Sequence, residues 1–510
     1  MKLDFVRNTK RNIVANAINN GIRLLFPFLN RTLFLWLLGP AYLGLNGLFG
    51  SILGVLMLAE LGFGTAIVCS MYKPVADDDR ELLCAYLRFY RKVYRWVGAA
   101  IFIVGLCLLP FLRNLVHGDV PADVDLHILY LIHLVNTSAS YFLFAYRGSI
   151  LGAHHRNDVI TNIRTAVSVV QYVTVFLILL VTRNYYYYII ATVAFTVTQN
   201  ILLVRASRRL FPDIEPRGRL PDAKRRQVIE DVKSIFMHKV GGVISSSLGN
   251  LVVSASLGLV AVAAYGNYYY VYTTITGLAG VLYSSMLGGF GNKIYTESKE
   301  ENFVLFMKAN RITLIVAVWC AAMMAALYQP FIMIWTKSNP DMIRHMLTAV
   351  LMVALFCVNI SRQVLLTFKA AAALWKQDRW KPIVAGAVNL TICLSLMQLL
   401  PNDYKVDGVI FAQIVSYLII QIPWESHVVF TAFFNGKQAY EYWKQQAIFA
   451  LAAVVLCVTT WYAVTFIHLD RIRALFTKGA VAAAVSTVLM FVVFRKDVLE
   501  ALSILRRKRS

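Results

Sequence analysis

The sequence predicts an all-α integral membrane protein with about fourteen transmembrane helices, and its apolar composition and uneven charge distribution both indicate that class. Hydrophobic residues make up 58% of the 510 residues, and the mean hydropathy is +0.61. Soluble globular chains are far less apolar than this. Lipid is therefore the solvent that such a chain requires.

The apolar runs follow one another along nearly the whole chain, and each is long enough for a helix that crosses a bilayer, which needs about 20 residues. The predicted spans are residues 13–37, 43–71, 93–114, 126–146, 159–181, 186–204, 240–262, 266–288, 311–335, 346–368, 383–400, 408–428, 445–467 and 477–494. An even number of spans places both termini on the same side of the membrane.

The distribution of basic residues tests this topology, because Lys and Arg concentrate in cytoplasmic loops. With a cytoplasmic N-terminus, 40 of the 50 Lys and Arg residues fall in inside segments and 8 in outside loops. The other two, Arg23 and Arg31, lie in the first span. The asymmetry predicts cytoplasmic termini, and the lack of a long soluble stretch argues against a nucleic-acid partner.

A short glycine-containing pattern occurs twice in the sequence and predicts an internal repeat. Leu38-Gly39 and Gly47 recur as Leu257-Gly258 and Gly266, at a constant offset of 219 residues. Two six-helix groups related by a repeat are a common transporter plan, with substrate bound between the halves. The predicted organisation is two six-helix lobes around a central cavity, followed by two C-terminal helices: a lobe at 1–204, a basic cytoplasmic connection at 205–239, a lobe at 240–430, and two extra helices with a basic tail at 445–510.

Charged residues inside spans are the most informative positions, because each costs about 2.5 to 3.5 kcal/mol to insert. Arg23 and Arg31 differ by eight positions, or about 80° around a helix, so both can face one cavity. Asn19 and Asn30 widen this polar stripe. The guanidinium fork matches phosphate oxygens, so these residues are candidates for binding an anionic group.

Glu60, in the second span, has two interpretations. It can pair with Arg23 or Arg31 as a structural bridge, or it can bind a coupling proton or sodium ion. Glu425, near the end of the twelfth span, is expected to be solvated at the water interface. The weaker candidates for the site are Arg147, Lys239 at a span edge, and Glu425.

The sequence contains no motif that indicates catalysis or a cofactor. None of the seven cysteines forms a C-x-x-C pair, and no phosphate-binding loop, H-E-x-x-H helix or G-x-S-x-G elbow is present. The prediction is therefore a protein that is not an enzyme and holds no metal or cofactor, apart from a coupling H⁺ or Na⁺.

Several segments resemble polysaccharide biosynthesis flippases of the Wzx type, over roughly the whole chain and most strongly in the first 160 residues. The matching segments are residues 27–32 (PFLNRT), 38–46 (LGPAYLGLN), 58–64 (LAELGFG), 72–74 (YKP), 145–147 (AYR) and 153–158 (AHHRND). The basic 205–239 segment resembles the inter-lobe connection of that family, and Arg147 falls in the resemblance to its loop after the fourth helix.

The resemblance implies membership of the multidrug, oligosaccharidyl-lipid and polysaccharide exporter superfamily. The implied activity is moving undecaprenyl-diphosphate-linked oligosaccharide from the cytoplasmic to the periplasmic leaflet of the bacterial inner membrane, for capsule, O-antigen or exopolysaccharide synthesis. The implied partners are that lipid-linked glycan, membrane lipids and other polysaccharide-assembly membrane proteins. Positive cavity residues are typical of the family, which favours Arg23 and Arg31.

Two alternatives use the same fold. A multidrug exporter of the superfamily would carry an organic cation in exchange for sodium or protons, which a positive cavity disfavours. A flippase for a lipid-linked peptidoglycan precursor would also need a positive cavity, because it binds an anionic cargo. A membrane polymerase or glycosyltransferase would need a sizeable outside loop, and the longest predicted one, near residues 115–125, is too short.

Overall fold

The part of the chain that the computed structural model describes is mainly helical. The described residues are 21, 25–60, 63–116, 120–143, 145–154, 156–372, 374, 377–467, 469 and 471–495, and no β-strand occurs among them. The helices are α1 Leu25–Leu37, α2 Pro40–Leu56, α3 Phe63–Ala76, α4 Arg80–Leu108, α5 Leu112–Leu115, α6 Leu126–Phe142, α7 Gly148–Ala153, α8 Asn157–Thr182, α9 Tyr185–Leu210, α10 Asp222–Leu257, α11 Leu259–Thr296, α12 Lys299–Trp335, α13 Met346–Ser361, α14 Gln363–Ala371, α15 Lys381–Leu399, α16 Lys405–Ser416, α17 Ile422–Ala432, α18 Gly436–Thr465 and α19 Arg471–Val493. The predicted all-α class is confirmed.

Nine stretches of helix within the described residues are long and apolar enough to cross a membrane. They are Arg80–Leu115, Asn157–Thr182, Tyr185–Leu210, Lys299–Trp335, Pro340–Ala371, Lys381–Leu399, Asn402–Ala432, Gly436–Thr465 and Ile472–Val493. Shorter apolar helices cover Leu25–Leu37, Pro40–Leu56 and Ala66–Ala76. The exact number of fourteen spans stays a prediction.

Large apolar side chains face outward from these helices. Val181 is 83% exposed, Leu451 is 69% exposed and Val492 is 72% exposed. Apolar surface of this kind along whole helices is unfavourable in water and is what a helix presents to the hydrocarbon core of a bilayer. The exposed faces therefore require lipid around the protein.

Side-chain caps fix where several helices begin. Asp79 accepts a hydrogen bond from the Leu82 amide at 2.9 Å at the start of α4, and Asn184 caps α9 in the same way. Helix α12 begins with a capping box between Ser298 and Glu301. These acceptors satisfy amide groups that the first turn of a helix leaves without partners.

The residues group into two compact units, Met1–Ala263 and Ala264–Ser510, and the boundary lies inside α11. In the first unit α4 packs against α6, α8 against α9, and α2 against α10. In the second unit α12 contacts α13, α18 and α19. The domain boundaries drawn from the sequence stay a prediction.

The second predicted span is not one continuous helix. Helix α2 ends at Leu56, a 3₁₀ turn covers Met57–Glu60, and α3 begins at Phe63. The sequence around the break contains Gly62 and Gly64, and glycine has poor helix propensity. Glu60 therefore lies at a helix break, where the sequence had predicted a position deep within a span.

Each unit has a helix that is interrupted at an arginine. In the first unit α6 ends at Phe142, a 3₁₀ turn covers Ala145–Arg147, and α7 follows at once. In the second unit Arg362 stands between α13 and α14. The two halves therefore share a helix break that carries one arginine.

The glycines of the sequence echo adopt matching backbone conformations. Gly39, before α2, has φ 105° and ψ 175°, and Gly258, between α10 and α11, has φ 85° and ψ −176°. This region of the backbone map is open essentially to glycine alone. The predicted recurrence of Gly39 at Gly258 thus has a structural cause, since each glycine forms the same tight link between two helices.

Candidate functional site

The predicted polar stripe of the first helix is described only at its C-terminal end. Arg23 and Asn19 lie outside the described residues. Asn30, on α1, donates a hydrogen bond from its Nδ2 to the Tyr188 hydroxyl at 3.2 Å, and Arg31 is half-buried near the same tyrosine. The shared cavity face of the two arginines therefore stays a prediction.

Glu60 accepts hydrogen bonds from two tyrosines of neighbouring helices. The Tyr141 hydroxyl donates to its Oε2 at 2.5 Å, and the Tyr94 hydroxyl donates to its Oε1. Each carboxylate oxygen thus has a protein donor. Whether Glu60 also pairs with an arginine of the first helix stays a prediction, because Arg23 lies outside the described residues.

Arg147 is almost fully buried in the first unit, with 1% of its surface exposed. Its Nη2 donates to Glu215 Oε2 at 2.5 Å, and that carboxylate side chain is 48% exposed. Its Nε and Nη1 atoms are buried and have no hydrogen-bond acceptor among the described residues. A guanidinium carries five N–H donors, so most of its hydrogen-bonding capacity is unused here.

The segment that carries Glu215 connects α9 to α10 and is held against the first unit. Ile214 and Leu220 are buried on either side of Glu215. Arg88 Nη1 donates to the Gly218 carbonyl oxygen at 2.9 Å. Because the backbone is anchored at both ends, the Glu215 side chain can turn into water without moving the segment.

Lys239 lies in α10, and the structure does not describe its side chain. Its proposed contribution to the site therefore stays a prediction.

Glu425 is fully buried in the second unit, so the expectation of a solvated residue at the water interface is wrong. Arg362 Nε donates to its Oε2 at 3.0 Å, and Lys381 Nζ donates to its Oε1 at 2.5 Å. Two cations compensate the cost of burying this carboxylate, which is the condition under which a charge can leave water.

The pair belongs to a longer chain of alternating charges. Lys381 also contacts Asp378 at 3.2 Å, and Asp378 pairs with Lys369. The order of charges is Arg362, Glu425, Lys381, Asp378, Lys369, so three cations enclose two carboxylates. This network joins the break after α13 to α14, α15 and α17 inside the second unit.

Arg362 also packs on an aromatic ring at an irregular helical turn. Its guanidinium carbon lies 4.8 Å from the centroid of the Tyr417 ring, a cation–π contact. Tyr417 begins a five-residue π-helix, Tyr417–Gln421, between α16 and α17. Such π segments concentrate at functional sites and change the direction of the side chains that follow.

Sequence reasoning counted Arg362, Lys369 and Lys381 as loop cations that orient the chain, whereas the structure buries all three. A charge count alone does not separate a solvated loop cation from one that a carboxylate neutralises. The signal that could have found them is the repeat, since Arg362 follows Arg147 by 215 residues, close to the glycine offset of 219.

Among the described residues, no group of three or more His, Cys, Asp or Glu side chains is arranged to hold a metal ion. The polar contacts around Glu60, Arg147 and Glu425 are made by arginines, lysines, carboxylates and tyrosine hydroxyls.

Residues 9–287 match the family described as polysaccharide biosynthesis protein, which is more than half of the chain. A search of curated protein sequences gave no match.

Solved structures of membrane transporters share the fold. A lipid II flippase, MurJ, in an inward closed conformation superposes with a TM-score of 0.65 at 12% identity, covering 95% of this chain and 100% of that one. An inward-facing multidrug resistance MATE transporter of the MOP superfamily gives 0.59 at 12% identity, covering 80% and 94%. A MATE transporter of Vibrio cholerae gives 0.54 at 14% identity, covering 84% and 93%.

At these identities the likenesses show the fold and leave the cargo open. Together with the apolar helices, they identify a multi-pass membrane protein with the fold that these structures share.

Proposed function

The chain belongs to the polysaccharide biosynthesis protein family, and on that premise we propose that it is a flippase for undecaprenyl-diphosphate-linked oligosaccharide repeat units. It moves them from the cytoplasmic to the periplasmic leaflet of the bacterial inner membrane by alternating access, for capsule, O-antigen or exopolysaccharide synthesis. The observation that carries this proposal is the family match over residues 9–287.

The chemistry of the charged residues agrees with this cargo. A diphosphate requires cations with several donors, and arginine offers two donors in one plane. We assign diphosphate binding to Arg23 and Arg31 with Asn19 and Asn30. Glu60, between two tyrosine hydroxyls, is the candidate for a coupling proton or sodium ion.

The proposal includes the setting of the protein. Both termini lie in the cytoplasm, the partners are the lipid-linked glycan, membrane lipids and other polysaccharide-assembly membrane proteins, and nucleic acid is not a partner. The protein performs no catalytic step, since moving a lipid between leaflets breaks no bond.

Two other cargoes follow from the structural neighbours. The structural similarity to MurJ suggests a lipid-linked peptidoglycan precursor as the cargo, which carries the same diphosphate and differs in its sugar. The MATE likeness raises an organic cation. The positive charge of Arg23 and Arg31, which the proposal places in the cavity, disfavours a cation.

The test is reconstitution of the purified protein in liposomes with a fluorescent undecaprenyl-diphosphate oligosaccharide. We expect protein-dependent movement between leaflets, a larger loss in Arg31→Ala than in Arg31→Lys, and normal movement in a control, Arg219→Ala, whose side chain is 85% exposed. Export of a dye cation with no glycolipid movement under any ion gradient would establish the multidrug function instead. Equal activity of wild type and both Arg31 variants would remove Arg31 from the site.

A further inference from the structure

Arg147 has the least satisfied buried guanidinium that the structure describes. Its side chain is 1% exposed, and both Nε and Nη1 are buried without an acceptor among the described residues. A buried N–H group without an acceptor destabilises the folded protein, and more so when the group is charged. The unpaired N–H groups of Arg147 are therefore available to an acceptor on a ligand that binds and is released.

The corresponding arginine of the second unit has no such vacancy. Glu425 accepts from both Arg362 Nε and Arg362 Nη2, and the ring of Tyr417 covers the guanidinium. Among the described residues, the helix break of the second unit leaves no buried nitrogen of Arg362 without a partner, whereas the break of the first unit leaves two nitrogens of Arg147 without one.

The one acceptor of the Arg147 guanidinium is weakly held. Glu215 is 48% exposed, and its other oxygen lies 4.0 Å from Arg208 Nε, so one carboxylate is shared by two arginines. Water competes for a half-exposed carboxylate, so this ion pair is weaker than a fully buried one. A competing anion of higher charge would displace Glu215 into water and meet both cations.

We infer that Arg147 and Arg208 form a binding site for a phosphate-bearing anion, which takes the place of the Glu215 carboxylate. Once Glu215 has left Nη2, a tetrahedral phosphate can accept from Nη2 together with either Nε or Nη1, whereas Glu215 accepts only from Nη2. The natural ligand is the diphosphate of the lipid-linked substrate. That identification rests on the proposed function, while the anion site itself rests on the contacts of Arg147.

The direct test is binding of inorganic pyrophosphate to the purified full-length protein in detergent, measured by thermal shift and by calorimetry. Removing the competing carboxylate with Glu215→Gln should tighten binding about ten-fold or more. Arg147→Ala should abolish binding. Arg147→Lys, which keeps the charge and loses the fork, should weaken it about ten-fold and serves if the alanine variant does not fold.

Arg219→Ala is the matched control, because it removes one exposed cation close to the same segment. We expect it to leave pyrophosphate affinity within about two-fold, as general screening would allow. Equal losses in Arg219→Ala and Arg147→Lys would show diffuse charge attraction and overturn the site. Absence of pyrophosphate binding in both wild type and Glu215→Gln would overturn it as well.

Competition identifies the source of the phosphate. Undecaprenyl diphosphate should displace pyrophosphate from the wild type, and nanodiscs of phosphatidylglycerol should not. Displacement by phosphatidylglycerol alone would assign the site to a phospholipid headgroup and overturn the substrate assignment. Glycolipid movement without pyrophosphate binding would overturn the anion site and leave the proposed function standing. Pyrophosphate binding without any glycolipid movement would overturn the proposed function and leave the anion site standing.

Discussion

Each of the two units carries an arginine at a helix interruption, yet the surroundings of the two arginines differ. Arg362 donates to a buried glutamate from two nitrogens and packs on an aromatic ring. Arg147 is equally buried, but its carboxylate partner is half-exposed and two of its nitrogens lack acceptors among the described residues. The difference teaches that burial alone does not indicate a structural role. Complete hydrogen bonding marks an arginine that holds the fold, and incomplete bonding marks one that is available to a ligand.

The same substitution in both units gives the largest expected contrast. Glu425→Gln leaves Arg362 and Lys381 buried without their shared counter-charge, and breaking a buried pair of this kind costs roughly 3–5 kcal/mol. Glu215→Gln removes the charge of a half-exposed carboxylate but keeps an amide oxygen that can accept from Arg147, so it should cost less, about 1–2 kcal/mol. Thermal unfolding in detergent measures both. Equal losses of stability in the two variants would show that the two glutamates contribute equally to the fold.

The glycine links offer a second contrast, in which equality is expected. Gly39→Ala and Gly258→Ala each force a side chain into a backbone conformation that costs about 1–3 kcal/mol. A Cβ on Gly39 meets no atom within 4 Å, so its cost comes from conformation alone. Gly50, inside α2 and also without neighbours, is the control, since alanine there should be neutral or stabilising. A Gly39→Ala protein as stable as wild type would show that the link tolerates other residues.

Glu60 contrasts with Arg147 inside the first unit. Both carboxylate oxygens of Glu60 accept a hydrogen bond, whereas two nitrogens of Arg147 have no acceptor among the described residues. Glu60→Gln has one acceptor oxygen for the Tyr94 and Tyr141 hydroxyls, so we expect a loss of about 1–2 kcal/mol in unfolding free energy. If Glu60 binds the coupling ion, transport by this variant also loses its dependence on pH or sodium. Tyr141→Phe is the control, since it removes one hydrogen bond and keeps the carboxylate. An unchanged ion dependence in Glu60→Gln would leave Glu60 with a structural role.

Arg147→Met should have the smallest effect on stability. It removes a buried charge with unmade hydrogen bonds, keeps similar volume, and leaves Glu215 free to be hydrated, so the unfolding free energy should change by about 1 kcal/mol or less. A loss as large as that of Glu425→Gln, in the same thermal measurement, would give Arg147 the structural role of Arg362.

Composition and apolar runs were sufficient to predict the all-α membrane class, because lipid requires long helices whose backbone groups are satisfied internally. The echo of Gly39 at Gly258 was also readable, since a backbone conformation open only to glycine leaves a mark in the sequence.

The charged network around Glu425 could not be predicted in the same way. Arg362 and Lys381 lie 63 and 44 residues from Glu425 along the chain, and only packing brings them together. The vacancy at Arg147 is a property of hydrogen-bond geometry, which no residue pattern encodes.

The measurement that tests the account most directly is leaflet accessibility of a fluorescent undecaprenyl-diphosphate oligosaccharide in liposomes containing wild type or Arg147→Met, with folding of each checked by thermal unfolding. We predict rapid movement with the wild type and almost none with a variant that is folded and nearly as stable. Movement at the wild-type rate in Arg147→Met would contradict the account, because an arginine that binds the diphosphate cannot be replaced by methionine without loss.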